Sequence, residues 1–217
     1  GWLKAAHTFS FADYYDPDNM HFRSLRVINE DRVAGGAGFP THAHRDMEII
    51  TFIISGALEH RDSMENTAVI YPGEVQRMSA GTGVKHSEFN HQQDKETHLL
   101  QIWLLPAKEG IEPSYEQKSF KEEFQNKKLV LVVSPQAENG SLKIHQDAKL
   151  SIGNLKSGDQ ISYEIADGRY VWIQMVRGSM AVNGQAIKAS DGLAVSKEKT
   201  LQITADQETQ FLLFDLS

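Results

Sequence analysis

Apolar, β-branched and aromatic residues gather in short runs at Glu48–Ile54, Thr67–Tyr71, His98–Leu105, Leu129–Val133, Val171–Val176 and Phe211–Phe214. Between them sit tight-turn formers: Ser55-Gly56, Pro72-Gly73-Glu74, Gly81-Thr82-Gly83, Glu138-Asn139-Gly140, Asn183-Gly184 and Ser190-Asp191-Gly192. Runs of this length between such residues read as strands, and many of them at close spacing read as a sandwich or barrel. One stretch has a helical period instead. Phe120 and Phe124 stand four apart within Ser119–Lys127, with Ser119 as the N-cap and Glu122 three residues on, the spacing of a capping box. The chain is therefore expected to be all-β, with a short helical linker. The linker divides an N-terminal domain, 1–118, from a C-terminal domain, 119–217, that begins with it.

The two halves echo each other. Glu48-IITFIIS-Gly56 leads into ALEHRD, a turn, and a Pro-Gly-Glu turn before the next strand; Tyr170-VWIQMVR-Gly178 leads into SMAVNG, then a Ser-Asp-Gly turn and LAVS. Both read strand, glycine, strand, turn, strand, which is the signature of an internal repeat. The second half has no histidine after His145. A duplicated β-barrel with one metal-competent half is the resulting expectation.

Composition narrows the chemistry. With no cysteine among 217 residues, disulfides, zinc ribbons, iron–sulfur clusters and thiol nucleophiles are excluded together. A net charge of −7 argues against direct nucleic-acid binding and against anionic membrane surfaces. No apolar run approaches the roughly 20 residues that span a bilayer, and Gly1-Trp2-Leu3-Lys4 opens no signal-peptide core. A cytoplasmic protein is expected.

Six of the nine histidines fall between His42 and His98. In Phe39-Pro40-Thr41-His42-Ala43-His44, two residues apart means one face on a strand and opposite faces on a helix, and Pro40 with the β-rich run behind it favours the strand. Val84-Lys85-His86-Ser87-Glu88 places His86 and Glu88 on one face in the same way. Either pair alone is an ordinary polar pattern. Facing each other, they make three imidazoles and a carboxylate, a set suited to Fe, Ni, Co, Cu, Mn or Zn and unsuited to Mg or Ca. An octahedral ion held by four protein ligands keeps two open positions. His98 is expected to be packed or hydrogen-bonded at the start of its strand. His7, His60 and His91 are expected at the surface or in loops. His145 has no partner at ligand spacing, and Trp172 and Met175 read as core of the second barrel.

These residues resemble a known family. Gly36-x5-His42-x-His44-x3-Glu48-x7-Gly56 resembles the first cupin motif, and Gly73-x7-Gly81-x-Gly83-x2-His86-x3-Asn90 the second, with Gly81 where proline is usual. The wider text HTFSFADYYDPDNMHFRSLRVINED, THAHRDMEIITFIISGALEHRDSM and HLLQIWLLP resembles the bacterial pirins, specifically over about Gly1–Pro106 and more weakly to Ser217. In the general cupin motif the ligand glutamate lies seven residues before the closing glycine. Here that position is Ile49, with Glu48 one residue off and expected to face away. The resemblance accordingly implies Glu88 as the carboxylate ligand.

What the resemblance implies is a bicupin: two facing β-barrels of the jelly-roll type, with one divalent metal, iron first, in the N-terminal barrel only. It implies a quercetin 2,3-dioxygenase that opens a flavonol with O2 and releases carbon monoxide. His42, His44, His86 and Glu88 would hold the ion, and Glu88, released from it, would accept the 3-hydroxyl proton as the catalytic residue. Glu48 and Gln101 are candidates for supporting residues behind the ligands. The alternative is a metal-containing regulatory protein with a transcriptional or metabolic protein partner, its quercetinase activity incidental.

Overall fold

The computed structural model describes residues 1–217. Ten strands form the first half: β1 (Leu3–His7), β2 (Leu25–Val33), β3 (Gly38–His44), β4 (Glu48–Ser55), β5 (Leu58–Asp62), β6 (Thr67–Ile70), β7 (Glu74–Ser79), β8 (Val84–Asn90), β9 (Thr97–Leu104) and β10 (Ser114–Ser119). After helix α1 (Lys121–Asn126) come β11 (Leu129–Ser134), β12 (Leu142–Lys143), β13 (Ala148–Leu155), β14 (Gln160–Glu164), β15 (Tyr170–Arg177), β16 (Ser179–Val182), β17 (Gln185–Lys188), β18 (Gly192–Val195), β19 (Thr200–Ala205) and β20 (Thr209–Leu216). The chain forms two compact units, Gly1–Lys121 with Ile144–Gln146, and Glu122–Lys143 with Asp147–Ser217. No helix is long and apolar enough to cross a membrane.

Each unit pairs a six-stranded sheet with a four-stranded one. In the first the orders are β1-β2-β9-β4-β7-β10 and β3-β8-β5-β6; in the second they are β12-β11-β13-β20-β15-β18 and β14-β19-β16-β17. Four strands of each large sheet and all four of each small sheet correspond in order. β4, EIITFIIS, is buried from Glu48 to Ile53, which is why it reads as a continuous apolar run. β8 alternates, with Val84, His86, Glu88 and Asn90 buried and Lys85 and Phe89 exposed. The period is that of a half-buried strand, but its buried set is mostly polar.

The repeat is visible in backbone detail. Gly56 and Gly178 close their respective turns at φ 87° and 82°, a region that favours glycine. A Cβ on Gly56 would lie 2.8 Å from Thr97 Cα, and one on Gly178 would lie 2.8 Å from Thr209 Cα. Both threonines begin the strand that pairs with the strand before the glycine.

The linker helix is shorter than expected. Ser119 is still in β10, paired with Glu74, so it does not cap the helix, and the helix covers only Lys121–Asn126. Edge pairing of β10 to β7 overrides the local helical pattern there. Met175 lies in the core of the second unit with Val171, Ile173 and Phe211. Trp172 is buried on the opposite face of β15, against Gly192, because strand alternation sends it away from that core.

Gly56→Ala should combine an unfavourable φ with a backbone clash and destabilise the protein by about 2 kcal/mol or more. A urea unfolding midpoint lowered at unchanged slope would show it, and Gly178→Ala should behave alike.

Candidate metal centre

β3 and β8 are paired antiparallel with His42 directly opposite His86, and their register shifts between Phe39 and His42. A shift of this kind re-aims side chains locally. Strand period then carries His44 and Glu88 to the same interior face. The three imidazoles form one cluster: ring centroids are 4.8 Å apart for His42 and His44, 4.4 Å for His42 and His86, and 4.8 Å for His44 and His86. One nitrogen from each lies within 4.8 Å of the others.

Hydrogen bonding sets which nitrogens face inward. The carbonyl of Pro40 accepts from Nδ1 of His42 at 2.8 Å, which leaves Nε2 of a neutral His42 with its lone pair. That Nε2 stands 3.0 Å from Nε2 of His86. Nε2 of His44 is buried without any hydrogen-bond partner. Burial, with His86 and His42 as neighbours, lowers His44 to a pKa of about 4 against the opposing pull of Glu88. Burial, with His42 and His60 beside it, lowers His86 to about 3. Both imidazoles are therefore neutral at pH 7, the form that binds metal. Converging nitrogens with an orphaned buried one among them are what a cation would satisfy, so these residues fit a transition metal.

Glu88 is buried and accepts from Nε2 of Gln101 at 2.8 Å through Oε2, while its Oε1 has no partner. It groups with His86 and His60, an overlapping set whose ligand atoms also lie within 4.8 Å of one another. Gln101 thus touches the carboxylate expected from the sequence. Glu48 does not approach the imidazoles. Its Oε2 accepts from Ser79 Oγ at 2.9 Å and from the backbone N–H of His145 at 3.2 Å. Alternation along β4 turns Ile49 inward instead, beside Met78, Ala80, Val84 and Trp103.

Two histidines are misplaced by the sequence reading. His60, expected at the surface, is wholly buried, with Nε2 donating to Asp62 Oδ2 at 3.0 Å. The alternation Leu58-x-His60-x-Asp62 on β5 is the signal that marks it as inward. His7 lies on β1, lines the site's cavity and pairs with Asn29 at 2.8 Å. His98 contacts Glu30 at 2.8 Å, and exposed His91 contacts Glu59 at 3.2 Å. The cavity, about 420 Å³, opens on His42 and His44 and is walled by Phe11, Phe39 and Trp103, with Asp31 among its polar groups. Trp103 meets Phe11 and His44 edge-on at 5.3 Å and 4.9 Å.

Two family models match this chain, one described as Pirin over residues 1–104 and one as the quercetinase C-terminal cupin domain over residues 131–216. A quercetin 2,3-dioxygenase of Escherichia coli strain K12 is 50% identical over 216 residues, covering 100% of this chain and 92% of that protein. This chain belongs to the pirin family. The crystal structure of the bacterial pirin YhhW from E. coli in complex with nickel(II) superposes with a TM-score of 0.95 at 48% identity, covering 100% of this pirin and 92% of that chain. A quercetin 2,3-dioxygenase from Acinetobacter baumannii, 20% identical, shares the fold at a TM-score of 0.75 over 89% of this chain and 75% of its own. The pirin described here is a bicupin and, by its full-length likeness to a dioxygenase, an enzyme.

Asp31 carries a pH signature. It is buried, with Oδ1 unpartnered, and burial, aided by Glu88 and Glu30, raises its pKa to about 7. An unfolded aspartate titrates near 3.9, so from about pH 4 to 7 the folded metal-free protein holds a proton that the unfolded chain has lost. Stability attributable to Asp31 is therefore full below pH 4 and lost as pH rises through 7. Asp31→Asn should stabilise the metal-free protein by about 1–3 kcal/mol at pH 8 and by much less at pH 4.5, read from urea midpoints at both pH values.

Proposed function

We propose that this pirin is a metal-dependent dioxygenase that cleaves a flavonol such as quercetin with O2 and releases carbon monoxide. The observation that carries this reading is the convergence of three imidazoles, two of which, His42 and His44, line an aromatic-walled cavity of about 420 Å³, a size suited to one small planar ligand. The E. coli relative named for this reaction and the nickel(II) complex of the E. coli pirin support it.

His42, His44 and His86 are the proposed imidazole ligands, with Glu88 as the carboxylate. Bound there, a transition metal supplies a Lewis acid for the substrate's 3-hydroxyl and a redox-capable partner for O2. Iron is proposed as the resident metal. Phe11, Phe39 and Trp103 would hold the flat ring system and exclude water. Glu88, held through Oε2 by Gln101 and with Oε1 free to accept, would take the 3-hydroxyl proton. Asp31, protonated for part of the physiological range, would donate to a ligand oxygen. A cytoplasmic location belongs to the same proposal and is checked by cell fractionation.

Protein loaded in turn with Fe, Ni, Co, Cu or Mn should deplete flavonol absorbance under O2 and release carbon monoxide. His86→Ala should lose stoichiometric metal and at least about 100-fold in turnover. Glu88→Gln should keep measurable metal and lose about 10²–10⁴-fold in kcat. Absence of turnover with every metal would overturn the quercetinase reading in favour of the metal-containing regulatory protein, whose partner capture should then respond to metal loading.

A further inference from the structure

His60 and Asp62 lie one step beyond the proposed ligands. Both side chains are wholly shielded from solvent. Across the β5–β8 ladder, His60 stands opposite Glu88 and Asp62 opposite His86. Asp62 is locked in the turn that follows β5. Its Oδ1 accepts from the backbone N–H groups of Met64 and Asn66 at 2.9 Å and 3.1 Å, and Asn66 Nδ2 donates to Oδ1 at 3.1 Å and to Oδ2 at 2.9 Å. Its one remaining contact is the bond that Oδ2 accepts from His60 Nε2 at 3.0 Å.

Proton placement follows along this line. A carboxylate only accepts, so Nε2 of His60 carries hydrogen and Nδ1 of a neutral His60 carries the lone pair. That Nδ1 lies 3.5 Å from Nδ1 of His86. A neutral His86 carries one proton and has two acceptors facing it, His42 Nε2 at 3.0 Å from its Nε2 and His60 Nδ1 at 3.5 Å from its Nδ1. A metal on Nε2 would remove the first choice, and the proton would then lie on Nδ1, where His60 accepts it. The ring of Tyr115, its centroid 4.9 Å from that of His60, packs against the relay.

The second unit supplies an internal control. Ladder register places Tyr163 opposite Leu201 on β14 and β19 as His42 stands opposite His86 on β3 and β8. Counting from the paired glycines, Val182 takes the place of His60 and Gly184 that of Asp62; Ile203 takes that of Glu88. Leu201, Ile203 and Val182 are all apolar core there. The relay and the ligand set are thus present together in one barrel and absent together from the other.

We propose that Asp62 and His60 form a hydrogen-bonded relay that fixes the tautomer of His86, presenting its Nε2 to the metal. His60 is a positioning residue and not a ligand. The inference rests on the metal-centre reading given above. Partners of this kind behind a metal-bound histidine typically contribute 10–100-fold to metal affinity.

The test uses zinc(II) as a diamagnetic probe bound to the full-length, 15N-labelled protein, with long-range 1H–15N correlation of the histidine rings. The expected spectrum shows one zinc per chain, His60 protonated at Nε2 alone, and His86 protonated at Nδ1 and coordinated through Nε2. His60→Leu should weaken zinc binding about 10–100-fold, and His60→Gln, which keeps an acceptor oxygen, should recover most of the loss. Coordination of His86 through Nδ1, a proton on His60 Nδ1, or a second zinc that strips His60 of its proton would overturn the relay while leaving the metal centre standing. A protein that binds no zinc would overturn the metal centre itself, and the relay with it.

Discussion

The interaction on which the site depends is the approach of two imidazole nitrogens, Nε2 of His42 and Nε2 of His86, to 3.0 Å inside a β-barrel. Pro40 already holds the Nδ1 hydrogen of His42, so the inward nitrogen offers a lone pair. In water both nitrogens would turn to solvent. Here paired strands fix the rings and the interior offers little water, so the two nitrogens face each other at hydrogen-bond distance. Nε2 of His44 and Oε1 of Glu88 are buried beside them with no partner at all. Burial keeps His44 and His86 neutral at pH 7, the form that binds a metal.

The scaffold that enforces this is ordinary. Most of the first unit's interior is apolar, with Val33, Ile53, Leu58, Ile70 and Leu99 in one cluster and Ile49, Met78, Ala80 and Val84 in another. The second unit repeats the same sheet orders with Tyr163, Val182, Leu201 and Ile203 in place of the polar set. Topology alone therefore does not make a metal centre. A few interior positions on three strands of the small sheet decide whether the barrel interior is core or chemistry.

Much of this was legible in the chain. The strand runs at Glu48–Ile54 and Phe211–Phe214 lie within β4 and β20, and Gly56 and Gly178 marked the repeat that their shared φ and threonine contacts display. His42, His44 and His86 do come together. Glu88 is brought to His86 and His60 and to Gln101, while Glu48 turns to Ser79. Ser119 misled because its local pattern is that of a helix cap, yet an edge of β7 was available for it to pair with. His60 and His7 were placed outside because a lone histidine carries no sign of its own, and His60 stands between charged Glu59 and Arg61. Period 2 along β5 was the only clue to His60.

The sequence by itself determined the class of the fold, the internal repeat, the nitrogen and oxygen character of the site and the strand faces of its histidines. Those properties follow from period, turn chemistry and residue type, which are local. Only the tertiary structure decided that His60 and Asp62 stand behind His86, that Gln101 holds Glu88, that Asp31 is a raised-pKa carboxyl on the cavity wall, and which aromatic rings enclose it. Each of these joins residues from different strands. Such pairings depend on ladder register across the sheet, and register is set by the folding of the whole barrel and not by any one segment.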